Sequence, residues 1–441
     1  MTIKLLLEFA VVLAAIAMGA RKSGVSLGLW GGVGLLVLVL AFGITPTSPP
    51  VDVLLIILAV IMAASVMDAA GGIEFLVRVA EKIIRSNPKY VTIVAPLVTW
   101  TFTFLAGTGH IVYPLLPVIY EVAHQNGVRP ERPMAIATIA SQQAITASPV
   151  AAATAAMIAL LHDKSGEAWG LTQILLICVP ATLTGVVVAA IVSMFVGKDL
   201  KNDAEYQARL KAGLIPAPVA AGVAKPALPP GARLSALIFL VGVALVVLAG
   251  LFPALRTLPG AKAPIGMPVT IEIVMLSVAA IMLTVTNASV DAIPKTATCR
   301  AGVVALVGIF GLAWLGDSFI GANKDVIVAN IGDMSKAAPW TFAIGLFFAS
   351  VLLYSQAATT RALMPLGFAL GLPPQYLIAM FPAVNGYFFI PTYGSLIAAV
   401  NMDLSGTTRI GRYVLNHSFM IPGLVATVSA VTAGLMIAAF F

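Results

Sequence analysis

Two stretches of this chain, far apart, follow one plan. The first runs Gly107-Thr108-Gly109-His110, then Leu116-Pro117, then Thr146-Ala147-Ser148-Pro149. The second runs Ser355-Gln356-Ala357-Ala358, then Met364-Pro365, then Phe389-Ile390-Pro391-Thr392. Gly107 to Pro117 and Ser355 to Pro365 both cover 10 positions. In each copy, small and polar residues interrupt two apolar segments. Inside lipid, irregular backbone is tolerated only where protein buries it or a cavity hydrates it. Matching interruptions in two halves are the pattern of carriers that hold a ligand at the breaks.

The interrupted segments belong to a chain that is apolar throughout. It is 60% hydrophobic and 10% charged, with a mean hydropathy of +1.02, whereas a soluble domain carries about 25% charge. Apolar runs of roughly 17–25 residues recur along the whole length, each enough to cross ~30 Å of hydrocarbon. The fold class is therefore all-α and polytopic, and no alternating pattern supports a barrel. Lys4 and the run 5–17 resemble a signal peptide, but Arg21-Lys22 just after the run favour a retained first span. Cys178 and Cys299 form no CxxC and read as buried free thiols.

Spans are expected near 3–20, 25–44, 52–70, 90–106, 108–126, 133–160 and 170–196. A second set follows near 233–252, 267–286, 300–316, 340–354, 356–371, 375–400 and 412–440. The first membrane repeat is thus 1–196, a cytoplasmic linker 197–232, and the second repeat 233–441. Seven segments per half oblige the second half to start on the opposite side, so the repeat is inverted. With both termini outside, the inner loops hold 18 basic residues and the outer loops 6, leaving only Arg361 unplaced. This satisfies the positive-inside rule. It also explains the net charge of +7 without any nucleic-acid partner. After its third span each half has an amphipathic stretch, 72–86 and 319–336, expected to lie on the surface. Each follows an aspartate, Asp68 or Asp317, which reads as a helix-end or inter-domain group. The linker, with Pro216, Pro218, Pro226, Pro229 and Pro230, reads as mostly extended or disordered.

Segments 90–106 and 340–354 reach only about 25 and 22 Å at 1.5 Å per residue. With their following arms they are expected to be re-entrant hairpins with tips at 106–110 and 354–360. Ser148-Pro149 and Pro391-Thr392 read as fresh helix starts within the sixth spans. Two hairpin arms and two half-helices bring four helix N-termini to the midplane. Each carries roughly half a positive charge and unsatisfied N–H groups, so the expected ligand is an anion. The twofold relation of the breaks suits a small linear dicarboxylate. The candidate substrate-binding residues are Thr108, Gly109, His110, Thr146, Ser148, Pro149, Ser355, Gln356, Arg361, Asn385, Pro391 and Thr392. His110 either contacts ligand or packs with hydrogen bonds. Thr146 and Ser148 either face ligand or satisfy backbone. An Arg361 side chain in the bilayer core costs at least ~2.5–3.5 kcal/mol; it either meets a substrate carboxylate, pairs structurally or snorkels. Asn385 and Tyr387 line the cavity or pack. No P-loop occurs, since Gly197-Lys198 is followed by Asp199, and there is no HExxH. Neither an enzyme, a metal nor a cofactor is expected.

These residues carry a resemblance. Gly19-Ala20-Arg21-Lys22, Asn87-Pro88-Lys89-Tyr90-Val91, Gly107-Thr108-Gly109-His110 and Arg129-Pro130-Glu131-Arg132-Pro133-Met134 are part of it. So are Ala147-Ser148-Pro149-Val150, Ser355-Gln356-Ala357-Ala358, Ile390-Pro391-Thr392-Tyr393, Asp403-Leu404-Ser405-Gly406-Thr407-Thr408 and Asn416-His417-Ser418-Phe419. Over nearly its whole length the chain resembles the anaerobic C4-dicarboxylate transporter (Dcu) family of the ion transporter superfamily. The resemblance implies a bacterial inner-membrane exchanger that takes in fumarate, malate or aspartate and exports succinate by an elevator motion. It also implies a homodimer and, in some members, a dicarboxylate-sensing histidine kinase partner. The departures fall in the second repeat. Tyr354 stands where the family has asparagine, Gly394-Ser395-Leu396 replaces Pro-Ser-Asp, and Thr359, Thr360 and Arg361 occupy a small, apolar stretch. Losing an acid and gaining a base is expected to favour a more anionic ligand. The alternatives are a Na⁺- or H⁺-coupled transporter of another organic anion, and a dicarboxylate-binding sensor subunit without flux.

Overall fold

The computed structural model describes residues 3–22, 25–215, 227–261, 263–353, 355–411, 413 and 415–441. Pro216, Pro218, Lys225, Pro226, Lys262, Tyr354 and Arg412, invoked above, lie outside the described residues. The regular elements among them are helices, and one isolated bridge pairs Ile410 with His417. The first half holds α1 (Ile3–Lys22), α2 (Ser26–Phe42), α3 (Val51–Ala69), α4 (Gly72–Ser86), α5 (Val91–Ala106), α6 (Val112–Gln125), α7 (Glu131–Gln143), α8 (Ala152–Ser165) and α9 (Leu171–Ser193). The short α10 (Ala204–Lys211) follows. The second half holds α11 (Ala232–Leu251), α12 (Met267–Thr286), α13 (Ala297–Ala337), α14 (Thr341–Leu353), α15 (Gln356–Ala369), α16 (Pro374–Met380), α17 (Gly394–Met402) and α18 (Met420–Ala438). Among the described residues, six helices are long and apolar enough to cross a membrane, or seven if the bent pair α3–α4 counts as one. This is a polytopic helical membrane protein. Leu29, Leu36 and Leu40 of α2 and Ile273, Leu276 and Ile281 of α12 point outward, as lipid-facing side chains do.

Two expectations need correction. The stretch 319–336 is not a separate surface helix; α13 is a single helix of 41 residues. The reason lies at the matching corner of the first half. There Gly71 takes a left-handed φ of +83° and turns α4 by 73° from α3. Asp317-Ser318-Phe319 has no such residue, and the helix carries on. The linker is also more ordered than expected at its start. The Asp203 carboxylate caps α10, accepting from the backbone N–H groups of Glu205 and Tyr206. The helix is then docked by Arg129 on Asp203, by Arg409 on Glu205 (2.5 Å) and by a Tyr206–His124 hydrogen bond (2.9 Å). Burial pushes the Asp203 carboxyl up, but the hydrogen bond and charge of Arg129 together with the Tyr206 and Glu205 N–H groups outweigh it and hold the pKa below the ordinary value.

Lipid gives helices no hydrophobic reason to associate, so small residues and close backbone contact must do it. A Cβ on Gly28 would sit 1.9 Å from the Val307 carbonyl oxygen, and one on Gly311 would sit 1.8 Å from that of Gly28. Here α2 and α13 touch backbone to backbone. Most packing falls within two groups, α1–α3 with α11–α13 and α5–α9 with α14–α18; α4 bridges them, touching α11 on one side and α5 and α6 on the other, and α13 meets α15. The packing partners come in couples related by exchanging the halves. Helix α2 meets α13 as α12 meets α3, and α6 meets α17 as α15 meets α8. Helix α7 meets α18 as α16 meets α9. Helices α3 and α13 run in opposite directions, as do α9 and α18. The end of α3 meets the start of α13, where Thr298 donates to Asp68 (2.8 Å). Thr47, ahead of α3, meets Ser318 and Trp314 further along α13. Likewise Trp169, ahead of α9, lies 6.4 Å from Phe441, beyond the end of α18, while Gly185 faces Ala426 and Ala430.

Candidate substrate site

The site begins with two turns. Helix α5 ends at Gly107, whose φ is +70° and whose Cβ, if present, would sit 2.6 Å from the Val150 carbonyl oxygen. Only glycine fits both the conformation and the space. Thr108 is extended, and its hydroxyl accepts from the His110 backbone N–H (3.3 Å) and pairs with His110 Nδ1 (2.8 Å). A short 3-10 turn then opens α6. In the second half Ser355 is extended after α14, and its hydroxyl accepts from the Ala358 N–H (3.2 Å) to cap α15. Both tips therefore expose unbonded N–H groups at the head of a helix.

The two broken spans supply further helix starts, displaced from where the prolines suggest. Helix α8 starts at Ala152 after extended Ala151, and α17 at Gly394 after extended Tyr393. Ser148 does not cap α8. Its hydroxyl donates to the Phe104 carbonyl near the end of α5 (2.7 Å), satisfying a group that the helix end would leave open. Thr146 donates to the Gln143 carbonyl (3.0 Å). Thr392 likewise belongs to the turn before α17, where its N–H donates to the Ile390 carbonyl (2.7 Å).

These starts surround one cavity of about 820 Å³. Its wall includes Thr108, Gly109 and His110 at the head of α6, Ser355 to Ala358 at that of α15, Ala152 and Ala153 of α8, and Thr392 to Gly394 at that of α17. Four helix N-termini thus face one space. The other wall is formed by α13 from Ala297 to Gly308, with Arg21 and Leu27. Arg21, Arg300 and His110 line the cavity, and among the described residues no aspartate or glutamate does. No group of His, Cys, Asp and Glu that could hold a metal occurs among them either. A cavity walled by helix starts and arginines, with no carboxylate, suits an anion.

The family model for anaerobic C4-dicarboxylate membrane transporters matches residues 4–441. The chain belongs to that family. It is 41% identical to the anaerobic C4-dicarboxylate transporter DcuB of Escherichia coli O6:H1, over 99% of this chain and 98% of the relative. It is 42% identical to the C4-dicarboxylate transporter DcuA of Wolinella succinogenes, over 98% of this chain and 99% of the relative. The DcuA of Escherichia coli K12 is 42% identical, over 99% of each chain. These relatives are transporters and not enzymes.

For this member of the transporter family, the cavity separates the candidate residues into two sets. Thr108, Gly109, His110, Ser355, Gln356 and Thr392 line it. Thr146, Ser148, Pro149, Asn385, Pro391 and Arg361 do not. Asn385 stands just behind, in a chain of side-chain amides. Gln356 Nε2 donates to Gln142 Oε1 (2.9 Å) and to Asn385 Oδ1 (3.2 Å), Asn385 Nδ2 donates to Gln143 Oε1 (3.2 Å), and Gln143 Nε2 donates to Thr427 (2.9 Å). These bonds tie the tip of one half to the broken span of the other. Arg361 points away from the cavity; its guanidinium is buried and pairs with Asp317 of α13 (3.2 Å). The extra base is therefore neutralised within the second half. Thr359 and Thr360 bond the carbonyls of Ser355 (2.8 Å) and Gln356 (2.7 Å) in their own helix, and Leu396 is fully buried. These changes are satisfied by packing.

Gln142, Gln143, Tyr113, Arg21 and Arg300 were not singled out from the sequence. The run Ser141-Gln142-Gln143 inside an apolar span is the signal that identifies the first two, because polar groups at that depth need partners. Much of the remaining family motif is structural. Asp403 accepts from Ser405 N–H (2.9 Å), Thr407 Oγ1 (2.8 Å) and Thr408 N–H (2.6 Å). Thr407 accepts from the Glu131 N–H (3.1 Å), and Glu131 in turn accepts from Ser418 (2.7 Å) and Arg129 (2.6 Å). One polar knot thus joins three sequence-distant motifs beside α10.

Proposed function

We propose that this protein exchanges C4-dicarboxylates across the bacterial inner membrane, holding the substrate at the four helix starts. The observation that carries this reading is the convergence of those starts on a cavity without a carboxylate. Each start offers fixed N–H donors and about half a positive charge, so the empty site is electropositive. A bound dianion offsets that field and lets the carrier reorient, whereas the empty carrier reorients poorly, which makes exchange faster than net uptake. The two halves act as inverted repeats, a reading supported by the opposed directions of α3 and α13 and of α9 and α18. Alternating access is a movement of α5–α9 with α14–α18 against α1–α3 with α11–α13. The termini lie in the periplasm, and the cavity opens toward the cytoplasm, where Arg21 and the linker sit. The family also carries a homodimer and a dicarboxylate-sensing histidine kinase into this reading.

Thermal unfolding of the purified protein tests the ligand class. Fumarate, succinate and malate are expected to raise the midpoint in a concentration-dependent way, and quaternary ammonium ions to leave it unchanged. Stabilisation by the cations and not by the diacids overturns the reading.

A further inference from the structure

Both cavity-lining arginines are on the wall that faces the helix starts. Arg21 is next to last in α1, and Arg300 is in the first turn of α13. Both are exposed and both line the cavity. Neither side chain has an ion-pair or hydrogen-bond partner among the described residues. Arginine at a membrane boundary commonly pairs with a carboxylate of its own protein, as Arg85 does with Glu121 (2.7 Å) and Arg129 with Glu131 (2.6 Å). Arg21 and Arg300 therefore hold unneutralised guanidinium groups over an electropositive cavity, an arrangement that self-repels until an anion arrives.

The exchange of halves makes the arrangement one-sided. Helices α1 and α11 both have 20 residues, and the position matching Arg21 is Gly250. With Asp68 set against Asp317, the position matching Arg300 is Val51. The opposite face of the carrier thus lacks the pair. The two arginines also sit on the group of helices that does not carry the tips, so movement of the tips leaves them behind.

Resting on the exchange reading above, we propose that Arg21 and Arg300 form a carboxylate-capture site on the cytoplasmic side. They engage an incoming dicarboxylate before it reaches the helix starts. Guanidinium is suited to this, because its planar fork donates two parallel N–H bonds to a carboxylate. Charge at the mouth of a cleft also raises the association rate, with a strong dependence on salt. The pair makes the two faces of the carrier unequal: the cytoplasmic face captures diacids at lower concentration than the periplasmic face.

Labelled succinate uptake into fumarate-loaded inverted and right-side-out membrane vesicles tests this, at low and high salt. The unaltered protein, R21Q/R300Q and R21K/R300K are compared, with insertion checked by thermal unfolding. In inverted vesicles R21Q/R300Q is expected to raise the half-saturating concentration about tenfold, a size typical of electrostatic steering. It should keep the saturating rate and lose most of the salt dependence. In right-side-out vesicles loaded with saturating fumarate, the half-saturating concentration of external succinate is expected to match that of the unaltered protein. R21K/R300K keeps the charge but not the fork, and is expected to retain the salt dependence with intermediate affinity. An equal change at both faces, or none at either, overturns the capture site while leaving exchange intact. Absence of flux in the unaltered protein overturns the exchange reading and this inference with it.

Discussion

Arg361 and Asp317 illustrate how a single charge inside the membrane changes meaning with its neighbours. Alone, Arg361 looks like a substrate ligand. Beside Asp317 it is half of a buried pair, and its removal exposes the other half. Arg361→Ala is expected to cost about 3 kcal/mol, because it leaves a carboxylate unpaired at low dielectric. Asp317→Ala should cost as much, and R361M/D317L much less than the sum of the two. A double-mutant cycle of thermal or denaturant unfolding reads the coupling. Additive losses would show that the two charges do not interact. The same residue could not be resolved from the sequence because its partner is 44 positions earlier, on a helix whose contact with α15 no periodicity reveals. Gln356 was legible because it follows a helix-capping serine at a break. Its partners Gln142 and Asn385 become meaningful only when the halves meet.

At the scale of elements, glycine decides both where helices turn and how closely they approach. Gly71 bends α3 into α4, and its absence at Asp317 leaves α13 straight through the same register. Gly28 and Gly311 let α2 and α13 touch at their backbones, whereas Gly32, on the same α2, has nothing within 4 Å. Gly311→Val is therefore expected to destabilise by about 1–3 kcal/mol or more, since the added atoms meet backbone that cannot yield. Gly32→Val should leave the unfolding midpoint nearly unchanged. Equal effects at the two positions would mean that the close crossing is not what holds this group of helices. Most helix positions were readable to within a few residues because apolar length and flanking charge define them, but α18 begins at Met420 and not near 412, and α13 runs on to Ala337. The helix restarts were not, because Pro149 and Pro391 mark the loss of a helix and not its resumption. The new helices begin at Ala152 and Gly394, three residues beyond each proline.

The whole molecule follows from two halves that interlock. Each half supplies one tip and one broken span, and only their meeting closes the cavity. The membrane class was legible because composition acts over the full chain. The opposing arginines were not, since in sequence they are ordinary loop cations. The central claim is that four helix starts bind a dicarboxylate whose charge the carrier needs in order to reorient. Labelled fumarate uptake into proteoliposomes, preloaded with succinate or empty, at matched ion gradients, tests it most directly. The account predicts rapid uptake into loaded vesicles and little into empty ones, insensitive to Na⁺ and H⁺ gradients. Uptake into empty vesicles that follows either ion, or no uptake in both, would contradict it.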